Sequence, residues 1–273
     1  ITATTLCTPQ SIVYLENFNG LVGGVLPTCT STDGAFQSNA TNGNIFSNGA
    51  GDSFFTQGFT LTAGTLYRIS YDYSTNLNGN ASLEVNIGHP INNVAPTAGN
   101  INQTIAYNGS FSVINSNIVN FTPAVSGTYY LRFVVDDIDG PSVQLNLDNI
   151  RVEIETCLPP TAVAVTGGSV NDFGATLTWT APATGAPSGG YAYFISTTNT
   201  PPTYNDAGTG TVASNGITFS TLSPNTTYYV WVRANCGAQI SIWSTSFATF
   251  TTTNITAPQT IRISDVAGLT NVT

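Results

Sequence analysis

The sequence predicts an all-β protein made of two consecutive β-sandwiches. Three observations carry this. Apolar residues recur at every second position over short runs, as at Tyr67, Ile69, Tyr71 and Tyr73, which is the period of a half-buried strand and not of a helix. Thr, Ser, Asn, Val and Tyr supply the bulk, while 26 Gly and 14 Pro punctuate the chain into short segments. No convincing amphipathic helix pattern interrupts them. The four cysteines fall two to each half, at 7, 29, 157 and 236, and Pro159-Pro160 marks a boundary. Domains are therefore expected at 1–155 and 156–253, followed by a tail, 254–273.

In the first half, Ser11 to Phe18 reads as a strand with Glu16 near its end. A polar loop through Cys29 and Asp33-Gly34 follows. Ser53 to Thr60 reads as a short aromatic strand. Ala63-Gly64 makes a turn into the alternating run Thr65 to Tyr73. Ala81 to Ile87 places Leu83, Val85 and Ile87 on one face. Gln103 to Tyr107 and Asn117 to Phe121 are weaker strands, and 126–137 is a strong one. The closing strand, Val143 to Ile154, carries a fault. Val143, Leu145 and Leu147 alternate in one phase, and Ile150, Val152 and Ile154 in the other. A phase flip in a period-two element implies one extra residue, a β-bulge, at Asp148-Asn149. Eight or nine strands at this spacing argue an antiparallel sandwich, and a jelly roll is the two-sheet solution for that count.

The succession "ENF", a polar loop with "DG", "FTLTAGTLYRISYDYS", "FTPAVSGTYYLRFVV" and "LDNIRVE" resembles the jelly-roll modules of Bacteroidota surface proteins exported by the type IX route. These are of the cleaved-adhesin or choice-of-anchor type, related to MAM domains and carbohydrate-binding modules. The family's usual Trp after the first loop is missing here. The resemblance implies a structural calcium joining first and last strands, and the matching positions are Glu16, Asp33 and Asp148, with Asn149 as a weaker candidate. Ca²⁺ takes six to eight hard oxygens, so acids beside a bulge suit it. The plainer alternative makes Glu16 and Asp148 solvated loop ends or partners of Arg151. Asp136, Asp137 and Asp139 form a second acidic stretch, read as a turn because the downstream Glu of an EF-hand is absent.

In the second half, Val163 and Val165 open a strand, Trp179 lies on the next, and Tyr191, Tyr193 and Ile195 form the third. Gly216 to Leu222 leads into Leu222-x-Pro224-x-Thr226-x-Tyr228-x-Val230-x-Val232-x-Ala234, and 241–252 closes what reads as a set of seven short strands. This order resembles a fibronectin type III domain. The resemblance implies that Tyr228 is the corner tyrosine, its hydroxyl returning to the backbone upstream, and that Trp179 is the core tryptophan. Members of that family ordinarily lack a disulfide. Here Cys157 begins the first strand and Cys236 ends the sixth, at one end of the sandwich, so a bond is expected. A bond is also expected between Cys7 and Cys29, since an even, half-by-half count points to two disulfides and an oxidising exterior. Trp231 and Trp243 are read as packing residues.

Several function classes are disfavoured. Charged residues make up 7%, net charge is −9, and the five cations are all Arg, at 68, 132, 151, 233 and 262. Nucleic acid and anionic membranes both need clustered cations, so neither is an expected partner. No run of 18 apolar residues occurs, so no membrane insertion is expected. His89 is the single His, and no GxSxG, HExxH or P-loop is present. The four Glu, at 16, 84, 153 and 155, form no glycosidase strand motif. The chain is therefore expected not to be an enzyme. The N-terminus, ITATTLC, has neither a Met nor a signal-type segment and is read as the start of a mature or excised piece.

The expected function is an extracellular adhesion or binding module of a bacterial cell-surface protein. Glycan is the ligand class the resemblance implies. The first half has no Trp, so sugar stacking would fall to Tyr71, Tyr73 or Tyr107, each of which could equally be core. Two alternatives stay open. The chain could be a subunit of a filament or stalk that contacts neighbouring copies of itself through the tail, where Ile261 and Ile263 alternate. It could also be a non-catalytic appendage of a secreted hydrolase.

Overall fold

The structure is a computed structural model that describes residues 7–76, 81–88, 114–139 and 142–254, and the backbone of 98–105. The described residues form strands joined by turns, without a helix. The chain divides into two compact units between Thr156 and Cys157, with Thr203–Asp206 grouping with the first.

The first unit contains β1 (Tyr14–Glu16), β2 (Ser31–Asp33), β3 (Gln37–Asn39), β4 (Asn44–Ser47), β5 (Ser53–Phe55) and β6 (Phe59–Leu61). Longer strands follow: β7 (Tyr67–Thr75), β8 (Ala81–Gly88), β9 (Ala98–Ile105), β10 (Asn115–Phe121), β11 (Gly127–Ile138) and β12 (Leu145–Ile154). One sheet runs β10-β7-β12-β4-β3, with β1 also on β12, and the other runs β2-β5-β11-β8-β9, with β6 also on β11. Sheet neighbours are rarely consecutive in sequence, the mark of a jelly-roll sandwich. Between the sheets lie Tyr67, Ile69, Tyr71, Leu83, Val85, Leu131, Phe133, Leu147 and Ile150, all buried. Each fully buried side chain of this size contributes about 1.5–3 kcal/mol.

Three strands of this unit are not predicted by the sequence. β2, β3 and β4 lie in what reads as a polar loop, because runs of three or four residues are too short to show alternation. The expected strand Ser53 to Thr60 is two strands, β5 and β6, that pair with different parts of β11. The expected strand from Ser11 is three residues long. Tyr107, His89 and the tail's Ile261 and Ile263 fall outside the described residues.

The bulge stands where the phase flip predicts it. Asp148 lies opposite Asp72 and Arg151 opposite Ser70, so three steps on β12 match two on β7. Asn149 absorbs the extra residue with φ 49°, a left-handed conformation that Asn tolerates better than most residues. As a result Leu147 and Ile150 are both fully buried. The second apolar run is shorter than expected: Ile154 is 52% exposed, and its neighbour Glu155 is buried near Arg68 at 3.7 Å.

The second unit contains β13 (Thr161–Val165), β14 (Thr176–Thr180), β15 (Tyr191–Ser196), β16 (Gly210–Val212), β17 (Gly216–Thr218), β18 (Thr227–Ala234) and β19 (Ala248–Thr251). Sheets β13-β14-β17 and β16-β15-β18-β19 enclose Leu177, Trp179, Tyr191, Val230 and Val232. Trp179 meets Tyr191 edge-on at 5.3 Å. Trp231 and Trp243 are buried, and Arg233 lies 4.3 Å from the Trp243 ring, so both indoles serve packing. Cys157 and Cys236 are bonded, as are Cys7 and Cys29, with Cα separations of 5.8 and 5.6 Å.

Both units lock one turn in the same way. The N–H of Ser223 donates to the Tyr228 hydroxyl at 3.0 Å, and the N–H of Thr62 donates to the Tyr67 hydroxyl at 2.9 Å. In each case the tyrosine follows the donor by five residues. The left-handed residue sits two positions after the donor, Asn225 (φ 49°) or Gly64 (φ 74°). The first of these corners was legible from the resemblance. The second was not, although Leu61-Thr62-x4-Tyr67 repeats the spacing of Leu222-Ser223-x4-Tyr228.

Candidate functional site

The strongest candidate site is a cleft of about 440 Å³ in the first unit. Three neighbouring strands form it. On β7 and β12, Tyr71, Tyr73, Leu145 and Leu147 are buried, so alternation turns Asp72, Ser74, Asn146 and Asp148 to the opposite face. Asn44 joins them from β4, and Asn42 from the turn before it. Gln144 and Asn76 close one end, where the Gln144 N–H donates to Asn76 Oδ1 at 2.6 Å. Ile114, 65% exposed, supplies apolar wall, while Tyr73 and Leu147 border the cleft with their side chains in the core.

The lining is unusual in its charge. Asp148 stands directly opposite Asp72 in the ladder, a like-charge pairing that destabilises a sheet. Asn149 partly offsets it. Its side-chain amide donates to Asp72 Oδ2 at 2.8 Å, and its backbone N–H donates to Asp148 Oδ1 at 2.7 Å. Ser116 on β10 donates its hydroxyl to Asp72 Oδ1. Burial pushes the Asp148 carboxyl up to about 6, against the pull of the Asn149 N–H, and Asp72 and Glu16 push it further in the same direction. Glu16 is also raised by burial. Among the described residues, no Lys, Arg or His lines the cleft. Arg151, next along β12, is held by Glu153 at 2.8 Å.

The sequence-expected residues are only partly brought together. Glu16, Asp148 and Asn149 gather at the bulge, with β1 placing Glu16 opposite Ile150. Asp33 lies on β2 in the other sheet, exposed, opposite Ser53. Among the described residues no three of His, Cys, Asp and Glu are placed to hold one metal ion. Asp72 has both oxygens engaged by protein donors, and the four-residue calcium set does not converge. Tyr71 is a core residue, packed edge-on against Phe133 at 5.2 Å, its hydroxyl taken by Asn117 at 2.6 Å. Tyr73 borders the cleft but packs in the core, and burial pushes its hydroxyl up to about 12. Neither offers the flat exposed ring that sugar stacking needs.

The sequence reading missed Asp72, Asn146, Asn44, Asn42 and Gln144. Each is a polar residue in the solvent phase of a strand or in a turn, where polar residues are ordinary. Only the pairing register shows that they meet.

The fold defines a protein of two β-sandwiches. Its second unit is a fibronectin type III domain, the family whose profile matches residues 158–250. No curated protein matches the chain. Among solved structures, the K1 cleaved adhesin domain of Lys-gingipain from Porphyromonas gingivalis W83 is 13% identical, with a TM-score of 0.40, over 53% of this chain and 99% of that one. The CBM36-1 domain of a multidomain xylanase from the hindgut metagenome of Trinervitermes trinervoides is 13% identical, with a TM-score of 0.31, over 53% and 98%. An Fn3-like protein from Clostridium thermocellum is 22% identical, with a TM-score of 0.28, over 38% and 100%.

Proposed function

We propose that the chain is a non-catalytic, extracellular binding module of a bacterial surface protein, and that it holds a glycan in the cleft of its first unit. The observation that carries this reading is the lining. A sugar presents hydroxyls that both donate and accept. The cleft answers with amides at Asn42, Asn44, Asn76, Gln144 and Asn146 and with carboxylates at Asp72 and Asp148. Its volume of about 440 Å³ lies in the range of small-ligand pockets, and Ile114 offers apolar surface at one side. Two disulfides support an oxidising, extracellular setting.

Binding would rest on hydrogen bonds without an aromatic platform, so affinities of about 10 µM to 1 mM are expected for a single site. The test is a glycan array with the full chain, followed by calorimetry on any hit and on the Asn42→Ala/Gln144→Ala double variant. The expected result is one glycan class bound, with affinity lowered about tenfold or more in the variant. An array without hits, or a hit indifferent to the double substitution, would count against the reading.

A further inference from the structure

We propose that Asp72 and Asp148 make the cleft selective for uncharged glycans, excluding sugars that carry carboxylate or sulfate groups. The proposal rests on reading the cleft as a glycan site and says which glycans it accepts. Two independent features point the same way. The first is charge without a counter-charge. The two carboxylates face each other across β7 and β12, Glu16 stands near, and among the described residues no Lys, Arg or His lines the cleft. The neighbouring cation, Arg151, is bonded to Glu153. An anionic sugar would have to approach these carboxylates in a partly desolvated cleft, where like-charge contact is strongly unfavourable. The second is an acceptor without a donor. Among the described residues, Asn44 Oδ1 is buried with no hydrogen-bond partner, and Asn44 lines the cleft. Asp148 Oδ1 takes the Asn149 N–H. Acceptors at the cleft favour a ligand that donates, which a neutral polyol does at every hydroxyl and an acidic sugar does not at its carboxylate or sulfate.

The pair also has a stability cost, since facing carboxylates oppose sheet pairing. Rejecting the wrong ligand by repulsion is a common use of such a cost.

The experiment measures binding of the full chain to neutral oligosaccharides and to their uronic-acid and sulfated counterparts, at pH 8 with EDTA present. At that pH Asp148, raised to about 6, is ionised. The expected preference for the neutral member of each pair is about tenfold or more. Raising salt from about 50 to about 500 mM should shrink that preference in the unaltered chain, because screening weakens the repulsion. Asp72→Asn/Asp148→Asn should shrink it as well, read as the ratio of the two affinities. Equal or tighter binding of the acidic members would overturn the proposal and leave the glycan site standing. So would a neutral preference insensitive both to salt and to the double substitution. Absence of binding to every member would overturn the proposal together with the reading beneath it.

Discussion

Asp148 and Asp72 face each other as a directly opposed pair at the point where β12 gains an extra residue. The bulge turns an ordinary strand into the wall of a site. By shifting phase at Asn149, β12 keeps Leu147 and Ile150 in the core and still presents Asp148 on the opposite face beside Asp72.

This arrangement fixes a pH dependence. The folded-state carboxyl of Asp148 is raised to about 6, above the ordinary value of 3.8. Between those values the folded chain binds more protons than the unfolded one, so this group's contribution to stability falls as pH rises from about 4 to about 6. After discounting for solvent screening, the loss is about 1 kcal/mol. Asp148→Asn should flatten that segment of the stability profile and raise Tm by a few degrees at pH 7. Denaturant melts at a series of pH values check this, and an Asn variant less stable than the parent at pH 7 would contradict it.

Asn149 makes two separate demands, a left-handed backbone and an amide to Asp72. Asn149→Gly keeps the first and loses the second. Asn149→Val loses both and adds the strain of a β-branched residue at positive φ. The Val variant should be less stable than the Gly variant by about 1–2 kcal/mol. Equal stabilities would mean that the bulge is not held in this conformation.

The two tyrosine corners should behave alike. Tyr67→Phe and Tyr228→Phe each leave a backbone N–H without its hydroxyl acceptor, at Thr62 and Ser223. Each should cost about 1–2 kcal/mol in the unit that contains it. A substitution that leaves both unfolding transitions unchanged would show that the turn holds without it.

The disulfides differ in the loops they close. Cys157–Cys236 spans 79 residues and Cys7–Cys29 spans 22. Chain-entropy arguments give about 4.5 and about 3.4 kcal/mol respectively. Replacing the longer-loop pair with Ala should therefore destabilise its own unit more than replacing the shorter-loop pair does. Urea titration of the two double variants decides it.

Calcium offers a further check. Among the described residues no three acids are placed to hold one ion, and Asp33 stands in the other sheet. Millimolar Ca²⁺ should shift Tm by less than about 2 °C, and EDTA should leave the melt unchanged. A large calcium-dependent rise that Asp148→Asn abolishes would restore the metal site implied by the resemblance.

The fold was legible where burial imposes a period. Tyr67 to Tyr73, Leu83 to Ile87 and the flip between Leu147 and Ile150 each record which side of a strand meets the core. β2, β3 and β4 left no such record, because three or four residues are too short to show a period in the sequence, even though β4 buries Ile45 and Ser47. The cleft was hidden for a related reason. Asn146 between Leu145 and Leu147 reads only as solvent-facing, and its meeting with Ser74 and Asn44 depends on a register that distant pairings set. Asp148 was found because it sits at a fault. Asp72, in an unbroken alternation, gave no comparable sign.

Whether the cleft between β4, β7 and β12 receives the ligand is read by amide NMR during titration with the tightest glycan from the array. Shifts should concentrate at residues 42–44, 72–76 and 144–149. Shifts confined to other surfaces, such as the exposed ring of Phe247 and its neighbours, would contradict this placement.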